Sequence, residues 1–105
     1  MMNKAGSRVE IDGYVLDVLM RDLVGHDRMP AAFVVFLVIW VRSLGKAADS
    51  VRISLQDLCS ASGLSKSAVQ RGIRHLTKRK LISASKGFPT DVPRYVILRP
   101  WARKN

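Results

Sequence analysis

The chain has one cysteine, Cys59, so it can form no internal disulfide. His26 and His75 are its only histidines, far from each other and from Cys59, without the short paired spacing of a metal set. No metal and no other cofactor is expected. The uncharged run Met29 to Val41 covers thirteen residues between Arg28 and Arg42, well short of the roughly 20 that cross a bilayer. No membrane partner is expected, and a buried core helix is. A glycine-rich phosphate loop, a nucleophile elbow, paired catalytic carboxylates and an HExxH pattern are all missing, so the expectation is that the chain is not an enzyme. Nothing resembles a separate ligand domain or a secretory signal, which points to no small-molecule ligand and to a reducing cytoplasm.

Acidic residues are scarce, eight against eighteen Lys and Arg, and the net charge is +10 with a pI near 10.7. Their distribution is more informative than their number. Residues 1 to 50 hold six basic and six acidic residues and are neutral; residues 51 to 105 hold twelve basic residues against Asp57 and Asp91 alone. An excess of Lys and Arg attracts polyanions and releases their counterions. Its confinement to one half argues for a polyanion-binding surface rather than general solubility.

At 105 residues the chain has room for one core, and it can fold without staples. Val15, Val18, Leu19 and Leu23 recur at helical spacing between Asp12 and Val24, which predicts an amphipathic first helix ending near Gly25. Pro30 to Leu44 is rich in β-branched and aromatic residues, but its length, with Pro30 at the start and Gly45 after the end, predicts a second helix buried nearly all round. Lys46 to Ser50 reads as a loop and Val51 to Ser54 as a short strand. Leu55 to Ser62 predicts a short helix, Gly63 a turn, and Ser65 the N-cap of a helix running to about Lys80. Leu81 to Lys86 and Arg94 to Arg99 are candidate strands, joined by a loop with one glycine and two prolines.

A helix-turn-helix needs a bracing helix, a tight turn, and a second helix with one face packed and the other free for the major groove. The segment LQDLCSASGLSKSAVQRGIRHL meets these demands in order. Leu55 and Leu58 can point inward, Cys59 is small enough for a buried crossing, and Gly63 can take a positive φ. Val69, Gly72, Ile73 and Leu76 form one inward stripe, with Gly72 allowing close helix approach. Lys66, Ser67, Gln70, Arg71 and Arg74 fall outside it, and all can bond base edges or phosphates. No acidic residue occurs from Gln70 through Lys86. The run Lys78-Arg79-Lys80 lies at the far end of the helix, where cations suit either phosphates or the helix dipole. His75 reads as a surface histidine, Trp40 as core, and Trp101 as either packing the C-terminus down or touching a partner.

The block from Val51 to about Arg99 resembles the winged helix-turn-helix domains of prokaryotic transcription regulators. Within it, GLSKSAVQRGIRHLTKRKLI is similar to the recognition-helix and wing-entry pattern of GntR-like and related families. The resemblance implies that the second motif helix reads the major groove and that a hairpin wing touches the flanking backbone or minor groove. By position it makes Ser65, Lys66, Ser67, Gln70, Arg71 and Arg74 DNA-reading residues, with Lys86 and Arg94 as backbone contacts at the wing; Lys78 joins the candidate set. Two features depart from the usual pattern. Gly72 stands where alanine is frequent, and the loop Phe88 to Pro93 is longer and more apolar than a minimal wing.

The expected architecture is mainly α with a small β-hairpin: a winged helix-turn-helix with two N-terminal scaffold helices. The expected division is a flexible 1–11, a single domain 12–100 with the helix-turn-helix at about 55–80 and the wing at about 81–99, and a tail 101–105. The expected function is sequence-specific binding of double-stranded DNA in transcription regulation. A role in replication initiation or plasmid and phage maintenance is one alternative, and a winged-helix protein-interaction module is another. A homodimer would place two reading helices in successive major grooves, roughly 34 Å apart. The apolar Phe33 to Val41 helix together with the N-terminal helix would supply its interface, or these residues are buried within one copy.

Overall fold

The structure is a computed structural model that describes residues 8–43 and 50–102. Two π-helical runs, Val15–Leu19 and Arg21–His26, follow one another through Met20. Helix α1 is Pro30–Ser43, strand β1 Ser50–Arg52, helix α2 Leu55–Ser62, helix α3 Lys66–Lys78, strand β2 Ile82–Ser85 and strand β3 Arg94–Ile97, with a closing 3-10 turn at Pro100–Ala102. The fold is mainly helical, with a three-stranded antiparallel sheet in the order β1-β3-β2. The expected hairpin thus gains a third strand. Val51 pairs with Tyr95 and Arg52 with Arg94. The expected cap at Gly45 and most of the loop Lys46 to Ser50 lie outside the described residues, as do 1–7 and 103–105.

The N-terminal segment differs from the expected α-helix in being π-helical and in reaching His26. The Met20 N–H donates to the Val15 carbonyl and the Asp27 N–H to Asp22 at 2.8 Å, both i→i+5 bonds. Its core residues Val15, Leu19 and Leu23 repeat every four positions. That spacing lies between the 3.6-residue α turn and the wider π turn, so apolar period alone does not choose between them. The adjacent face carries Leu16, Met20 and Val24, also four apart and exposed.

Helix α1 runs through the centre of the core. Ala32, Phe33, Val35, Phe36, Ile39, Trp40 and Ser43 are buried, and their packing overrides the strand propensity of so β-branched a segment. Burial is not all round, however. Val34, Leu37, Val38 and Val41 are half-exposed and line an open groove with Ala61 and Ser62 of α2. Core residues of this kind contribute roughly 1.5–3 kcal/mol each by leaving water. Burial within one copy therefore explains Phe33, Val35, Phe36, Ile39 and Trp40 without a second chain.

Both ends of the described chain join this body. The Trp40 indole donates to the Glu10 carbonyl at 2.8 Å, and the Arg99 guanidinium lies 4.7 Å from the Trp40 ring. Trp101 stacks on Tyr14 at 4.7 Å and donates to Asp12 Oδ2 at 3.1 Å. Val9, Ile11 and Trp101, which lie in the expected ends 1–11 and 101–105, pack against the core.

Helix α3 ends at Lys78, two residues before its expected end, because Lys80 adopts a left-handed conformation with φ 60°. The Leu81 N–H returns to Leu76 O at 3.0 Å and the Lys80 N–H to Thr77 O at 3.0 Å, the paired bonds of a Schellman stop. Leu76 and Leu81 are both buried beside it. A side chain in the left-handed region costs about 1 kcal/mol that glycine avoids. Lys80→Gly is therefore expected to raise unfolding stability by about 1 kcal/mol in urea melts; an unchanged or lowered midpoint would show that the Lys80 side chain offsets the strain.

Candidate nucleic-acid interface

Local hydrogen bonds set the angle between α2 and α3. Ser54 caps α2 by accepting from the Asp57 N–H at 3.0 Å. Gly63 turns the chain at φ 78°, its N–H bonded to Cys59 O at 2.9 Å. The Ser62 hydroxyl accepts from the Leu64 N–H at 3.1 Å, and Leu64 packs against the core. Ser65 then caps α3, accepting from the Ala68 N–H at 3.2 Å, with the Ser67 hydroxyl 3.4 Å away. Every bond of the connection closes within five residues. Cys59, expected to be buried, is partly exposed, because Leu58 takes the inward position on this short helix.

Val69, Gly72 and Leu76 face inward, which turns the remaining side of α3 to solvent. At 3.6 residues per turn, Lys66, Ser67, Gln70, Arg71, Arg74, Thr77 and Lys78 span an arc of about 140°. All seven are exposed. None of Lys66, Arg71, Arg74 and Lys78 forms an ion pair among the described residues. Two arginines elsewhere are paired: Arg79 Nε lies 3.1 Å from Asp27, and Arg99 Nε 3.6 Å from Asp12. The outer face of α3 is thus a strip of uncompensated cations interleaved with an amide and hydroxyls.

The hairpin stands beside this strip. A groove of about 380 Å³ lies between α3 and the sheet, lined by Leu55, Gln70, Ile73, Ala84, Lys86 and Tyr95 among others. Burial pushes the Tyr95 hydroxyl above its ordinary pKa of 10.0. Gln70 and Lys86 therefore meet across one groove, although Lys86 Nζ also donates to Pro89 O at 3.2 Å. On the other flank, Arg71, Arg74 and Lys78 line a hollow with Met29 and His75. Arg94 stands apart from both. Its neighbours Tyr95 and Ile97 are buried, which by strand alternation puts Arg94 on the outer side of the sheet, opposite Arg52 in the ladder and beside Ser85. Arg52 was not a candidate in the sequence, since its place depends on pairing across forty-odd residues.

The back edge of α3 is held by one carboxylate. Asp27, with its side chain only 8% exposed, accepts from His75 Nε2 at 2.7 Å on Oδ2 and from His26 Nδ1 at 2.8 Å on Oδ1, and Oδ2 forms an ion pair with Arg79 Nε at 3.1 Å. His75, expected as a plain surface histidine, is instead a half-buried part of this clamp. The bonds from His26 and then His75, with the charge of Arg79, hold the Asp27 carboxyl below its ordinary value of 3.8 against the opposing effect of burial. Among the described residues no three metal-ligating side chains group together, and no helix is long and apolar enough to cross a membrane.

In comparisons with protein-family models, curated proteins and solved structures, no match to this chain was found.

Because the Asp27 carboxyl is lowered on folding, its stabilisation is complete above 3.8 and is lost as pH falls through the lower folded value. Asp27→Ala is expected to cost about 2 kcal/mol at neutral pH, the worth of a charged hydrogen-bonded group with little exposure. In urea melts run from neutral to strongly acid pH, the gap between wild type and variant should close in acid. A gap absent at neutral pH, or one that persists in strong acid, would sink the assignment.

Proposed function

We propose that this chain is a winged helix-turn-helix protein that binds double-stranded DNA sequence-specifically through α3, acting in transcription regulation. The observation that carries the reading is the outer face of α3: cations without carboxylate partners among the described residues, alongside Gln70 and two serines, while Arg79 and Arg99 are paired with acids. Lone cations gain most from a phosphate chain, and an acid at close range would repel it. The absence of acids from Gln70 through Lys86 keeps that surface attractive.

On this reading α3 lies in the major groove. Lys66 and Lys78, at opposite ends of the helix, take phosphates and fix its register. Arg71 and Arg74 are placed to pair with guanine O6 and N7, and Gln70 with adenine, each good pair giving about 1–3 kcal/mol of discrimination. Ser65 and Ser67 supply short-range donors at the helix start, where the N-terminal dipole also favours a phosphate. Lys86 extends the contact across the groove that it shares with Gln70. Arg94, on the outer side of the sheet, reaches only a backbone that curves around the hairpin. A role in replication or plasmid maintenance would use the same contacts, and the place of the bound site relative to a promoter or an origin separates the two.

Selection of bound sequences from a random duplex library is expected to recover a defined motif; two-fold symmetry in it would mean that two copies bind together. With Lys66, Lys78 and Lys86 on phosphates, the slope of log affinity against log salt should be roughly −3. Arg71→Ala with Arg74→Ala should leave the melting temperature unchanged and abolish the preference for the selected motif. Sequence preference intact in that double variant would overturn the base-reading role, and affinity insensitive to salt would overturn DNA binding altogether.

A further inference from the structure

The loop between β2 and β3 carries Phe88, which is 70% exposed; the next most exposed large apolar side chain among the described residues, Leu16, is at 45%. Hydrophobic residues scattered singly on a surface need no explanation, but this ring stands at the end of a closed loop. The Phe88 N–H donates to Asp91 Oδ2 at 2.9 Å, and the Asp91 N–H donates back to Phe88 O at 2.9 Å. Lys86 Nζ reaches across to Pro89 O at 3.2 Å. Gly87 admits the carboxylate, since a Cβ there would lie 2.6 Å from Asp91 Oδ2. The loop is therefore built to hold its own backbone, and it does so while leaving the ring in water. Its one acid, Asp91, is turned onto the Phe88 amide through Oδ2 and shares a surface hollow with Lys86 and Arg94.

The placement supplies the partner's chemistry. Lys86, two residues before the ring, lies on the groove shared with Gln70 of α3. The ring thus projects from a basic hairpin beside a basic helix, a setting that favours a polyanion with apolar faces to stack on. We propose that Phe88 is a wedge: it inserts against a base step of duplex DNA next to the site held by α3 and partly unstacks it. This rests on the DNA-binding reading and adds to it a deformation of the duplex. An apolar side chain used in this way favours steps that unstack readily, pyrimidine–purine steps above all, and so selects sequence with no hydrogen bond to a base. The long apolar loop that sets this hairpin apart from a minimal wing is, on this account, the wedge and its mount.

The test uses the full chain and a mixed-sequence duplex carrying a fluorescent adenine analogue whose emission rises when its neighbours unstack. Wild type is expected to bind at low salt and to raise the emission. Phe88→Ala should melt as wild type does, bind about tenfold more weakly, a loss typical of one stacking contact, and leave the emission low. Phe88→Trp should restore both, and Gly87→Ala, by displacing Asp91 from the Phe88 amide, should lower the emission while the ring is still present. Lys66→Ala, remote from the loop, should weaken binding but keep the emission rise of the bound state. If wild type binds with the expected salt dependence and Phe88→Ala matches it in affinity and emission, the wedge is wrong and the α3 reading stands. If wild type does not bind the duplex even at low salt, both fall. A change in self-association with Phe88→Ala, with duplex binding unaltered, would make the ring a protein contact and overturn the proposal.

Discussion

The close crossing of α3 over α1 at Gly72 is the constraint on which the other elements depend. A Cβ at Gly72 would lie 3.2 Å from Val35 Cγ2, 3.3 Å from Ala32 Cα and 3.4 Å from the Ala31 carbonyl, so the side of α3 rests on the backbone of α1 itself. A glycine in mid-helix costs roughly 0.5–1 kcal/mol. The approach it allows seats Val69 and Leu76, both fully buried, each worth roughly 1.5–3 kcal/mol. Packing wins, and the rotation of α3 about its axis is then fixed. Everything about its outer face, including which cations stand free, follows from that rotation.

The charges divide along the same line. The N-terminal half is neutral in the sequence, which hides what its acids do. Asp27 and Asp22 take the cations on the back edge of α3, and Asp12 takes Arg99 and the Trp101 indole. Acids contributed by one half thus neutralise arginines of the other and leave the exposed strip of α3 alone. A scaffold rich in lysine would have left Arg79 and His75 with no acceptor, and α3 would lose its tether to the N-terminal segment.

How much of this could be read in advance depended on range. Gly63 and Ser65 each act through a bond that closes within a few residues, so the α2–turn–α3 unit and its exposed face were legible from spacing alone, whereas Ser54, expected at the end of the strand, caps α2 instead. Residues separated by tens of positions were not: His75 meets Asp27 across 48, and Arg52 faces Arg94 only because β1 joins the sheet. No local pattern records such pairings. The π-helical segment escaped for another reason, since a four-residue apolar repeat suits two helix types equally. Lys80 escaped because a left-handed lysine leaves no mark of the kind that glycine leaves.

The hairpin is not hinged freely on this body. Leu81, the residue at which α3 hands over to β2, is buried and bonded on both sides, its N–H to Leu76 O and its carbonyl to the Leu98 N–H at 2.9 Å. Ile82 pairs with Ile97, and both are buried. The Ile53 N–H ties the other margin to Pro93 O at 3.2 Å, just where the loop returns to β3. The root of the hairpin therefore moves with the C-terminal end of α3, and the loop beyond Lys86 inherits that orientation. Contacts made by α3 and contacts made by the loop are then not independent: the stop at Lys80 and Leu81 sets the distance and angle between them. A change at this junction would alter both together, even though neither Lys80 nor Leu81 belongs to the exposed strip.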